Sequence, residues 1–123
     1  MMATMKAKVG SFTRSMADPS GKQSVTGIGF KPVSLVCLTS IGSGAKGLAS
    51  IAFTDGETHG GMYNFGPGVW ATLSGLLMFA RQGQGVQQAG TVESLDEDGF
   101  SIVWEKFSSP TPTTLTVFYL ALG

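Results

Sequence analysis

The residue types that could do chemistry are few and widely spaced. His59 is the only histidine and Cys37 the only cysteine among 123 residues. A single histidine cannot build a multi-His metal site within one chain, and a single cysteine excludes an internal disulfide. Cys37 lies inside the apolar run VSLVCLTS, where a buried, inert thiol is expected rather than a nucleophile. A Ser-His-Asp set around His59 is formally possible, but no serine stands in a nucleophile elbow. The segment from Gly42 to Gly47, GSGAKG, spells G-x-G-x-x-G after a strand-like run. A dinucleotide site needs a helix directly afterwards, with its N-terminus facing the pyrophosphate. The next residues are LASIAFT, strand-like and ending at Asp55-Gly56, so a β-turn loop is expected. Asp96-Glu97-Asp98-Gly99 offers carboxylates without the remaining ligand spacing of a calcium loop, and a solvated hairpin turn explains it. No catalytic motif emerges, and no enzyme activity, metal or cofactor is expected.

Residues suited to a polar ligand are somewhat better grouped. Asp55, Glu57 and His59 alternate along one short Gly-rich segment, which would suit a sugar hydroxyl; simple solvent exposure also accounts for it. Trp70, Trp104, Tyr63 and Tyr119 could stack on the apolar face of a sugar ring. Trp104 alternates with Phe100 and Ile102, which puts it in a core. Tyr63 and Trp70 flank Gly66-Pro67-Gly68 and fit a surface patch. His59, Tyr63, Trp70 and Arg81 are therefore the candidate ligand or interface residues.

These residues must be positioned by strands. The last quarter of the chain reads TVESL, a DEDG turn, FSIVWEKF, an SSPTPT turn, then TLTVFYLAL. Alternation and β-branched content predict three antiparallel strands with two tight connections, and Asp98-Gly99 would supply the positive φ of a hairpin turn. Leu115, Val117 and Tyr119 share one face of the last strand; Phe118, Leu120 and Leu122 share the other. A strand apolar on both faces lies inside a sandwich or has one face covered by another subunit. Upstream, strands are expected at 6–14, 23–27, 33–40 and 48–54, with Asp18-Pro19-Ser20-Gly21 as a turn. Between 57 and 89, strands are expected near 63–65 and 74–81. Val69, Trp70, Leu73, Leu76, Leu77 and Ala80 have helix-like spacing, but Gly68 and Gly75 oppose a helix at about 1 kcal/mol each. RQGQGVQQAG, 81–90, is expected to be an exposed loop. About eight short strands predict an all-β, single-domain antiparallel β-sandwich, jelly-roll-like, over 6–123, with 1–5 as a flexible arm.

Composition narrows the function classes. Charged residues make up 13% and the formal net charge is zero, which argues against a nucleic-acid partner. The start, MMATMKAKVGSF, has no apolar h-region, and no apolar stretch is long enough to span a bilayer. A soluble product of the cytoplasm is expected, without a membrane partner. So little charge suggests that part of the surface is covered in an assembly.

The ends of the chain carry a resemblance. VGSFTRSMADPSGKQSVTGIGFKPVSLVCLTS resembles tailed-bacteriophage structural proteins that open with a short GSFT strand, then a polar turn and a Q-x-V-T-G-x-G-F-x-P segment. Here that segment is Gln23, Val25, Thr26, Gly27, Gly29, Phe30 and Pro32. The stretch V-x-S-L-D-x-D-G-F-S-I-x-W and the final YLALG are similar to the same group, and to small H-type lectin sandwiches, which form trimers. The resemblance implies a non-enzymatic virion protein. The reading it favours is a capsid decoration (cement) protein that binds the major capsid protein lattice as a homo-oligomer, a trimer by analogy. The alternative is a glycan-binding module of a tail fibre or tip. Gly27, Gly29, Phe30 and Pro32 carry over as structural positions, and Gly99, Trp104 and Tyr119 take structural roles beside them.

Overall fold

The computed structural model describes residues 4–41, 49–66, 69–83 and 85–123. The GSGAKG segment at 42–47 and residues 1–3 of the expected arm lie outside them. The described chain is all-β, with ten strands. In order they are β1 (Ala7–Ser15), β2 (Gly21–Val25), β3 (Ser34–Ser40), β4 (Ala49–Thr54) and β5 (His59–Gly66). Next come β6 (Val69–Ser74), β7 (Met78–Gly83), β8 (Val86–Asp96), β9 (Gly99–Phe107) and β10 (Thr114–Leu122). They form a six-stranded sheet, β1-β10-β3-β4-β5-β6, and a four-stranded sheet, β2-β9-β8-β7, each antiparallel throughout. Pairing β1 with β10 and β2 with β9 is the outermost turn of a jelly roll. Inside it, the inner turns are replaced by two meanders, β3 to β6 and β7 to β9.

Four sequence expectations change. The hairpin β8–β9 forms, but β10 does not continue it; SSPTPT carries the chain across to the other sheet, between β1 and β3. A strand apolar on both faces gains more from a central place between two partners than from an edge. The predicted strand 74–81 is two strands, β6 and β7, separated at Gly75, whose φ is 75°. RQGQGVQQAG is not an exposed loop but the β7–β8 hairpin, turning at Gly85 with φ 75°. Polar composition misleads there, because Gln88 is fully buried and satisfied by hydrogen bonds. Finally, Gly99 is not among the positive-φ residues. It is needed for space: a methyl group there would land on the Val25 carbonyl of β2.

The inward faces meet in one core. Phe12 of β1, Phe100 of β9 and Tyr119 of β10 stack edge-on or tilted, with ring centroids 5.4 to 6.3 Å apart. Two rings lie over glycines opposite them in the ladder, Trp104 over Gly90 and Tyr119 over Gly10. The Trp104 indole N–H donates to Gln23 Oε1 at 2.8 Å, and the Arg14 guanidinium sits 5.1 Å above the ring centre. Burying each such ring contributes roughly 2–3 kcal/mol, an upper bound.

The T-G-x-G-F-x-P segment is fixed from outside. Gly27 and Gly29 take φ of 83° and 91°. Their N–H groups donate to the two carboxylate oxygens of Asp98, at 2.9 and 2.7 Å, while the Ile28 N–H donates to the Asp98 carbonyl at 3.1 Å. The β8–β9 turn thus holds the exit of β2. Pro32 is buried, and Phe30 packs against the chain end at Gly123.

Candidate interaction surface

Alternation along each strand of the six-stranded sheet sends one set of side chains inward and the other out. The ladder register aligns the outward set into rows across the sheet. One row runs Ser11, Phe118, Leu38, Ile51, Met62, Thr72. The next runs Val9, Leu120, Val36, Phe53, Gly60. Trp70 adds a ring on the outer face of the edge strand β6, opposite Asn64. Val9, Leu38, Phe53, Met62, Trp70 and Phe118 are 49% to 73% exposed. No Asp, Glu, Lys or Arg occupies an outward position of these rows.

The outer face of the four-stranded sheet is built differently. Lys22 pairs with Glu93 at 2.8 Å, and Ser24 and Ser101 face each other. The Asp96 carboxylate accepts from Ser94 and Ser101 hydroxyls at 2.7 Å each, and these bonds hold its pKa below the usual carboxylate range. That face is made for water. The six-stranded face, with three rings about half exposed, leaves on the order of 600 Å² of apolar surface uncovered, at the upper end of what a lone soluble domain shows.

The four residues singled out for a ligand are not brought together. His59 opens β5, and its Nδ1 lies 2.6 Å from the hydroxyl of the buried Thr54. Tyr63 points inward, its ring 4.7 Å from that of Phe79. Trp70, one register position away, points outward. Arg81 is on β7, at the edge of the other sheet. Sequence reasoning assigns Tyr63 and Trp70 to one patch because both flank Gly66-Pro67-Gly68, but strand alternation sends them to opposite sides.

The residues it misses are Leu38, Phe53 and Met62. The two-faced apolar character of β3 and β10 is the available signal; the register that joins them to β4 and β5 is not visible in the sequence. Beside Phe53 lies a shallow depression of about 430 Å³, lined by Ser34, Phe53, Thr54, Asp55, Thr58 and Gly60. Asp55 Oδ1 accepts from the Glu57 and Thr58 N–H groups, at 3.0 and 2.8 Å, and these bonds lower its pKa.

No family model, curated protein or solved structure matches the chain. The surface must therefore be read from its own chemistry. Among the described residues no cluster of three or more His, Cys, Asp or Glu side chains could hold a metal ion, and no helix is long and apolar enough to cross a membrane.

Cys37 contributes no nucleophile. It is fully buried, and burial pushes its thiol up to about 12 from 9.0. The folded state thus keeps a proton that the unfolded chain releases above pH 9. Stability is complete below pH 9 and falls as pH rises toward 12, by about 1.4 kcal/mol per unit for this group. Tyr119, raised by burial and then by Cys37, acts in the same direction. Urea unfolding between pH 8 and 11 should show a shallower alkaline decline for Cys37→Ala than for the parent; parallel declines would remove Cys37 as the cause.

Proposed function

We propose that the protein is a non-enzymatic structural component of a tailed-phage particle, a head decoration or cement protein seated on the major capsid protein lattice. The observation that carries this reading is the uncharged apolar face of the six-stranded sheet, set opposite a polar, ion-paired face. Such a surface is costly to leave in water and suits a protein that works by being packed against others. The GSFT strand, the Gly27–Pro32 segment and the D-G-F…W hairpin support the phage setting by resemblance. Contacts of this kind, each weak, gain strength through repetition over a lattice.

A second reading, a glycan-binding module of a tail fibre or tip, is favoured by the depression beside Phe53. There the exposed Phe53 ring adjoins Thr54, Asp55 and Thr58. Quantitative mass spectrometry of purified particles separates the two. Cement predicts hundreds of copies relative to the major capsid protein. A handful, in multiples of three or six, would move the chain to the tail and favour glycan binding; absence from the particle would defeat both.

A further inference from the structure

We propose that the apolar face of the six-stranded sheet is a two-fold self-association surface, covered in solution by the same face of a second copy of this chain. This rests on the reading that the face is buried in an assembly, and it names what first covers it. Four observations select a second copy.

The first is area. About 600 Å² on each of two copies gives a total near 1,200 Å², the lower bound for a stable specific interface. The second is charge. A foreign partner is usually selected by complementary charges, and the rows of this face carry none, the one carboxylate beside them being Asp55 at the margin next to Phe53. An uncharged face matches itself, and a chain of zero formal net charge adds no repulsion between copies.

The third is that most of the exposed large apolar side chains among the described residues gather on this face. The remaining large apolar side chains with high exposure are Met5, Val33 and Val103. Met5 and Val33 precede β1 and β3, and Val103 is on the opposite sheet. A head-to-tail contact, the kind that builds a trimer, needs two different complementary surfaces, whereas an isologous contact uses one surface twice. The structure supplies one.

The fourth is shape. Two sheets pack face to face about 10 Å apart, with interdigitating side chains. The rows led by Phe118–Leu38–Ile51–Met62 and by Leu120–Val36–Phe53 offer the ridges for such packing. Pairing through the β1 edge is less suited, because Lys6 and Lys8 stand exposed along it, and edge lysines oppose strand addition.

The test is the mass of the purified chain, by light scattering after size exclusion and by native mass spectrometry, from about 1 to 100 μM. The parent is expected at twice its 12.8 kDa. Phe53→Lys with Phe118→Lys should reduce it to a monomer, weakening association at least 100-fold. Should that pair fail to fold, as read by circular dichroism, Val9→Lys with Met62→Lys places the charges toward the sheet's margins and must give the same result. Val103→Lys, on the opposite sheet, should remain dimeric. A monomeric parent at 100 μM overturns the proposal, and so does a trimer, or a dimer that survives charges on the face. None of these outcomes depends on particle copy number, so a failure of the phage assignment and a failure of the self-association are read by different experiments.

Discussion

Gly99→Ala is expected to destabilise the fold by about 3 kcal/mol or more, enough to leave little folded protein in a domain of this size. A methyl group at residue 99 would be driven into the Val25 carbonyl and also crowd its carbonyl carbon, at 2.8 Å. Both are backbone atoms, so no side-chain rotation relieves the overlap. Either β2 moves away from β9, breaking the ladder from Val25↔Phe100 to Gly21↔Trp104, or the β8–β9 turn opens. Opening the turn would release Asp98 from the Gly27 and Gly29 N–H groups. Each route forfeits several hydrogen bonds, at about 1 kcal/mol apiece, beyond the steric strain. Urea unfolding of the alanine variant measures this. A loss under 1 kcal/mol would show that β2 does not approach Gly99 closely. Gly56→Ala gives a useful contrast. Its cost is a φ of 98° and a contact with the flexible Leu95 side chain at 3.2 Å, and it should be the milder change.

Gln88→Leu is expected to cost about 3 kcal/mol although leucine is the more apolar residue. The Gln88 side chain is wholly buried, and both ends of its amide are engaged. Its oxygen accepts from Arg14 Nε at 3.0 Å. Its NH2 donates to the Met16 and Asp18 carbonyls at 3.1 and 2.7 Å. Leucine fills similar volume but leaves two carbonyls and a guanidinium N–H without their partner. An unsatisfied buried polar group costs about 1–3 kcal/mol, and more where a charge is involved. Arg14 would also lose one of the bonds that hold it over Trp104. Gln88→Glu separates the contributions. It keeps an acceptor for Arg14 but sets a carboxylate oxygen against the two carbonyls in place of the NH2 donor, so at neutral pH it should cost at least as much as leucine. Equal stability of the leucine variant would mean that water replaces the amide.

These two positions also mark what can and cannot be read from the sequence. Strands whose alternation is strong are legible. β9 buries Phe100, Ile102 and Trp104 as expected, and β10 buries Leu115, Val117 and Tyr119. The all-β sandwich follows from the spacing of such runs and their turns. Gln88 is illegible because a glutamine in a Gly/Gln-rich stretch has the composition of a loop. Only the carbonyls of 16 and 18, about seventy positions away, make it a core residue. The placement of β10 is hidden for a related reason. Consecutive strands usually pair, which makes β9 and β10 the expected neighbours, but the ladder joins β10 to β1 and β3. The candidate site is half legible. Phe118, Leu120 and Leu122 stand out as a second apolar face of one strand. That Val9, Leu38, Phe53 and Met62 extend it is a matter of register between strands far apart in sequence, which no local pattern encodes.

The outermost jelly-roll turn has a consequence for how the chain acquires its structure. The backbone of Lys6 exchanges hydrogen bonds with Gly123, at 2.6 and 2.9 Å, and the β1–β10 ladder runs on from there to Ser15↔Thr114. During synthesis the β3-to-β6 meander can form as soon as it leaves the ribosome, since its pairings are local. β1 must wait for β10, and β2 for β9. Loop closure over roughly a hundred residues comes before either sheet is complete, which makes folding slow for the chain's size. Until β10 arrives, β1 and β3 both present open edges beside an apolar face. The interval between making Ser15 and making Thr114 is therefore when this protein is most exposed to aggregation, and where a chaperone would matter most.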